Sequence, residues 1–230
     1  MRTAVSGFGD SLADSITAVS DQMSVIFDCM TNVIDDAINK STDPKDYIDD
    51  VSESDTESQT EGKVTKCKNA GEVNGDLNVG GIAGSLAIEY DFDPEEDVVS
   101  EGKKTMNFMY TTKAIISHCT NTGFVNAKKS YAGGIAGKEE LGLIYDCLGK
   151  GKITSKTGDY TGGIAGYSDS FIKNSYAKCT LSGRNYLGGI AGEGDKIFDC
   201  MAIVNVEEAS EYIGSIAGKA TVCTGNFFAN

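Results

Sequence analysis

The string Gly-Gly-Ile-Ala-Gly occurs at Gly80–Gly84, Gly133–Gly137, Gly162–Gly166 and Gly188–Gly192, and returns as Gly-Ser-Ile-Ala-Gly at Gly214–Gly218. Its central isoleucines are Ile82, Ile135, Ile164, Ile190 and Ile216, at steps of 53, 29, 26 and 26 residues. The first step is one period plus roughly one more period's worth of chain. Self-similarity of this length constrains the fold more than any local pattern. A short unit cannot bury an apolar face alone, so it must stack on its copies.

A second column precedes the glycine blocks: Cys67, Cys119, Cys147, Ser175, Cys200 and Cys223. Three residues before it stand Val64, Ile116, Ile144, Ile172, Ile197 and Ala220; six after it stand Val73, Val125, Ile153, Leu181 and Val206. Each unit therefore reads as three short strands separated by glycine and asparagine turns. Units of 26–29 residues are too short for four-stranded propeller blades, which need ~40. Stacking equivalent residues ~4.8 Å apart instead predicts a mainly β fold over 63–230. The expected form is a right-handed three-sided parallel β-helix, with handedness from the crossover rule.

The Gly-Gly-Ile-Ala-Gly blocks resemble the GLUG-type repeats of bacterial surface proteins, including those beside IgA-cleaving metallopeptidases and in Firmicutes surface proteins. The stretch 79–97 and Asn107–Ala114, leading to Cys119, resemble a recurrent arrangement in the same proteins. This chain places isoleucine where that motif favours leucine or valine. The resemblance covers roughly 63–230 and implies a secreted or cell-surface β-solenoid. It implies no activity, since such repeats are accessory segments and no peptidase zinc motif is present.

Outside the repeats, residues 1–10 read as a disordered start. Residues 11–39 read as an amphipathic helix on the stripe Leu12, Ile16, Val19, Met23, Ile26, Met30, Val33 and Ala37. Phe27, Ile34 and Ile38 widen that stripe, which favours packing on a globular body: an N-terminal cap over the open solenoid end. Oligomerisation through a coiled coil is the alternative. Residues 40–62 read as an acidic solvated linker. An insert over 86–113 reads as a hairpin with an acidic tip. Asp91, Asp93, Glu95, Glu96 and Asp97 could offer oxygen ligands to Ca²⁺, but lack the spacing of an EF-hand loop, so a solvated acidic loop is the better account.

Composition narrows the function. The net charge of −14 argues against nucleic acid and anionic membranes. Residues 1–62 carry 14 acids against Arg2, Lys40 and Lys45, so most of that charge lies outside the repeats. No apolar run is long enough to span a membrane, and no signal peptide opens the chain, which reads as a segment of a longer surface protein. One histidine and no tryptophan leave little catalytic inventory. The seven cysteines form no CxxC pair, and a stacked column of them reads as small buried packers rather than disulfides. His118 and Cys119 are strand neighbours on opposite faces, so no thiol dyad is expected.

Two polar columns remain. The residues before the cysteine column are Lys66, His118, Asp146, Asn174, Asp199 and Val222. Asp146 and Asp199, two rungs apart at ~9–10 Å, could act as the carboxylate pair of a glycan hydrolase or lyase. Corner residues satisfying turn amides are the simpler account. Tyr131, Tyr160, Tyr186 and Tyr212 form the other column, headed by Asn78. Stacking between rungs would explain them, and outward rings would make a strip for sugars. The expectation is a non-catalytic, extracellular spacer or adhesion module without a cofactor, whose partner is a glycan or a host or cell-surface protein.

Overall fold

The computed structural model describes residues 14–31, 48–54, 60–87 and 110–229. The chain divides into two compact units, Met1–Ile48 and Asp49–Asn230. In the first, residues 14–31 are helical and exposed throughout, including Ile16, Val19, Met23 and Ile26 of the apolar stripe.

The second unit is a three-sided parallel β-solenoid. One eight-stranded sheet stacks Lys63–Thr65, Ile115–Ser117, Leu143–Tyr145, Ala165–Lys173, Ala191–Phe198 and Ala217–Thr224, with Ala83–Leu86 and Ala136–Glu139 continuing it. A second eight-stranded sheet includes Val73–Gly75, Val125–Ala127, Leu148–Ser155, Tyr176–Ser182, Met201–Glu208 and Phe227–Ala229. The third has five strands: Val79–Gly80, Ala132–Gly133, Thr161–Gly162, Asn185–Gly188 and Glu211–Gly214. Rungs pair in parallel and letter on letter: Val64 with Ile116, Ile116 with Ile144, Ile144 with Ile172, and Ile172 with Ile197. In the second sheet Val73, Val125, Ile153, Leu181 and Val206 line up in the same way.

These columns and the central isoleucines make the core. Ile135, Ile164 and Ile190 are fully buried, as are Ile144, Ile153, Ile172 and Ile197. The glycine pair of the first four blocks has a steric cause. A Cβ on Gly133 would lie 1.8 Å from the carbonyl oxygen of Ala136 in its own coil, and one on Gly134 would lie 2.1 Å from that of Gly163 in the next. Only hydrogen fits where the coil turns this tightly against its neighbour.

The last coil departs from the column pattern expected of it. Cys223 pairs with Ile197, so it belongs to the isoleucine column and not to the cysteine column. Asn226 takes the cysteine position, ten residues after Ile216 as Cys200 follows Ile190, and Gly225 takes the place assigned to Val222.

Part of the stretch expected as a solvated linker is structured. Ile48–Asp50 pairs with Tyr110–Thr112, and a 3₁₀ turn follows at Ser52–Ser54. Asp50 is the anchor: its carboxylate accepts the amide N–H groups of Ser52 at 3.0 Å and Gly142 at 2.7 Å. Buried Ser52 accepts the Ala114 N–H at 2.9 Å. The acidic insert with Asp91, Asp93, Glu95, Glu96 and Asp97, and the 32–39 end of the expected helix, lie outside the described residues.

Candidate functional site

Both polar columns sit on left-handed backbone. Lys66, His118, Asp146, Asn174 and Asp199 have φ of 57°, 54°, 48°, 49° and 53°, with Gly225 at 71°. They form one corner of the solenoid, which accounts for its asparagine and aspartate, the non-glycine residues that adopt this conformation most readily. His118 Nε2 stands 3.4 Å from Asp146 Oδ2, and both side chains are about half exposed. Asn174 separates Asp146 from Asp199. Cys119, next to His118, is fully buried and its thiol donates to the Ser117 carbonyl at 3.2 Å, so the two face apart and form no dyad.

The cysteine column does more than fill space. The Cys67 N–H donates to Cys119 Sγ at 3.4 Å, Cys147 N–H to Ser175 Oγ at 3.1 Å, Ser175 N–H to Cys200 Sγ at 3.4 Å, and Cys200 N–H to Asn226 Oδ1 at 2.8 Å. Each side chain thus accepts the first amide beyond the corner of the rung before it. Serine and asparagine can replace cysteine because an acceptor is what the position needs. The cysteines are free thiols. Burial pushes Cys147, Cys179 and Cys200 up to about 12, which leaves no thiolate nucleophile there at neutral pH.

The tyrosine column is the second left-handed corner. Asn78, Tyr131, Tyr160, Tyr186 and Tyr212 have φ of 52°, 68°, 67°, 57° and 58°. The rings stack along the axis at 5.0, 4.8 and 4.4 Å between centroids, with interplanar angles of 9°, 15° and 4°. Their faces are turned on one another, so the row presents ring edges and hydroxyls rather than a flat strip. Tyr160 and Tyr186 hold their protons above the usual phenol range, because burial and then neighbouring negative or phenolic groups disfavour the phenolate. Tyr167 adds an edge-on ring against Tyr131 and Tyr160 at 5.9 and 5.7 Å, and Lys138 Nζ lies 5.6 Å from the Tyr131 ring centre. Tyr167 escapes sequence reasoning because its column reads Lys138, Tyr167, Glu193 and Lys219, with no common chemistry.

Glu139 is also invisible in the sequence, where Lys-Glu-Glu looks like surface. It is fully buried, in an inward column with Leu86, Ser168, Gly194 and Ala220. Ser168 Oγ donates to Glu139 Oε2 at 2.5 Å, while buried Oε1 has no hydrogen-bond partner. Burial first, then repulsion from Asp50 and Asp169, raises this carboxyl to about 8. It is a neutral acid at pH 7.

Among the described residues, no group of three or more His, Cys, Asp or Glu side chains is placed to hold a metal ion. No helix among them is long and apolar enough to cross a membrane.

No family model matches the chain, and no curated protein does. Among solved structures it is similar to a "putative immunoglobulin A1 protease" from Bacteroides ovatus, at 24% identity over 70% of this chain with a TM-score of 0.45. The match covers 52% of that protein, about half its length.

Proposed function

We propose that the chain is a non-catalytic module of the extracellular space or cell surface, a rigid spacer and adhesion scaffold that meets glycans along its tyrosine corner. The row Tyr131, Tyr160, Tyr186 and Tyr212 carries this reading. Each occupies a left-handed backbone site that costs a non-glycine residue on the order of 1 kcal/mol. Three stacked pairs, at about 0.5–1.5 kcal/mol each, roughly offset that cost. A side chain kept where the backbone disfavours it points to a task outside local folding. Ring edges and hydroxyls repeating at the rung pitch suit successive sugar hydroxyls of an extended chain. The buried, protonated thiols support a non-catalytic role, since they supply no thiolate nucleophile.

Titration of isotope-labelled protein with neutral oligosaccharides tests this. The expected shifts fall on the amides of Ala132, Thr161, Leu187 and Ile213, which follow the tyrosines, and vanish in Tyr160→Asn. Absence of any shift there removes the tyrosine reading. Turnover of any glycan that is lost in Asp146→Asn would establish the enzyme instead, with Asp146 and Asp199 as its carboxylates.

A further inference from the structure

The outer face of the first sheet holds a groove of about 960 Å³, with Glu53 and Thr60 among its lining residues. Its basic lining is Lys63, Lys66, Lys173 and His118. In a chain of net charge −14, three lysines and the single histidine meet here; among the described residues the lining holds one acid, Glu53, which Lys173 engages, and Asp146 stands just outside it, 3.4 Å from His118 Nε2. The floor strands Ile115–Ser117 and Leu143–Tyr145 are paired on both edges, so recognition there falls to side chains. Those are hydroxyls, with Ser117 Oγ 3.2 Å from Thr65 Oγ1, and an aromatic pair, with His118 edge-on to Tyr145 at 5.8 Å. Beyond the groove the same face continues with Phe171 and Phe198, and Lys196 Nζ lies 4.4 Å from the Phe171 ring centre.

Aromatic carbon beside fixed ammonium groups suits a ligand whose units each carry an apolar ring face and an anion. Lys66 stands on the first rung and Lys173 on the fourth, about 14 Å apart at the strand spacing. That distance spans a few pyranose units of an extended chain. We propose that this groove binds an acidic polysaccharide, with uronic-acid carboxylates meeting Lys66, His118 and Lys173 and the chain laid along the solenoid axis. The site is separate from the tyrosine corner and does not depend on it.

Calorimetric titration of the whole chain with a short oligogalacturonate tests the proposal against two competitors: the same sugar fully methyl-esterified, and polyglutamate. The free acid binds, the ester does not, and affinity falls as salt rises. Lys66→Asn with His118→Asn raises the dissociation constant about fivefold or more, the effect of removing one exposed charge contact and one ring hydrogen-bonding group. Asparagine already occupies this corner at Asn174, with φ of 49°, so the variant keeps the fold. Lys173→Gln weakens binding as well, whereas Lys178→Ala, an exposed lysine on another sheet, does not. Equal binding of the ester, equal binding of polyglutamate, no binding of the acid, or unchanged affinity in the folded double variant each overturns the proposal.

Discussion

Replacing Glu139 with glutamine should abolish a pH dependence that the wild-type fold carries in its core. The carboxyl rises from 4.5 to about 8 on folding, so the native state binds the proton more tightly than the unfolded chain. Stability is then fully present below pH ~4.5, declines as pH rises, and levels off above ~8. A tenfold difference in proton affinity between the two states is worth about 1.4 kcal/mol. The fall is therefore about 1.4 kcal/mol for each step in pH, and on the order of 5 kcal/mol across the window. Asp76 and Asp159, held down by Lys128 and Arg184, act in the opposite direction, but only as pH falls below the ordinary carboxylate range. The interval from pH 5 to 8 therefore isolates Glu139. Glutamine keeps an acceptor for the Ser168 hydroxyl and carries no proton that titrates. Urea unfolding at successive whole pH values would show a falling wild-type curve and a flat variant, the wild type losing about 1.4 kcal/mol per pH step relative to the variant. A wild type equally stable at pH 5 and 8, or a slope surviving in the variant, would refute the reasoning.

Ser175→Ala should cost about 1–3 kcal/mol by leaving the buried Cys147 amide without an acceptor, while Ser175→Cys should cost less than about 1 kcal/mol; chemical denaturation decides between them. In native-state alkylation read by mass spectrometry, Cys29, Cys67 and Cys223 should label, whereas Cys119, Cys147, Cys179 and Cys200 should react only after unfolding. Tyr160→Asn removes two ring stacks and the edge-on contact with Tyr167, together about 1.5–4.5 kcal/mol, and relieves about 1 kcal/mol of backbone strain. Its melting midpoint should therefore fall by several degrees, about 2–4 °C for each kcal/mol of net loss, and any glycan contact at that corner is lost.

The solenoid was legible because its determinants are periodic. A residue that must match the one above and below it leaves its letter at the same interval in every copy, as Ile116, Ile144, Ile172 and Ile197 do. The slip at Cys223 shows the limit of letters. The column's requirement is an acceptor for the amide of the preceding rung, which Asn226 meets and a matching cysteine three residues earlier does not. The tyrosines were visible as a column, but not as a left-handed corner, because tyrosine is a poor marker of that backbone. Asp50 and Glu139 could not be seen at all. Their environments are made by residues far off in sequence, Gly142 for Asp50 and Ser168 for Glu139, and no local pattern carries that information.

The corners at Lys66, His118, Asp146, Asn174 and Asp199 act as a fixed-pitch line of type. The core reads only the spacing of these positions, while solvent reads the characters set in them. Characters can be exchanged one by one among side chains that tolerate the left-handed turn, leaving the coil beneath unaltered. Gain or loss of a whole copy would shift the printed message by one rung, about 4.8 Å, without smudging it. A lineage can thus rewrite what such a molecule grips, and how far along its length, by edits that folding scarcely registers.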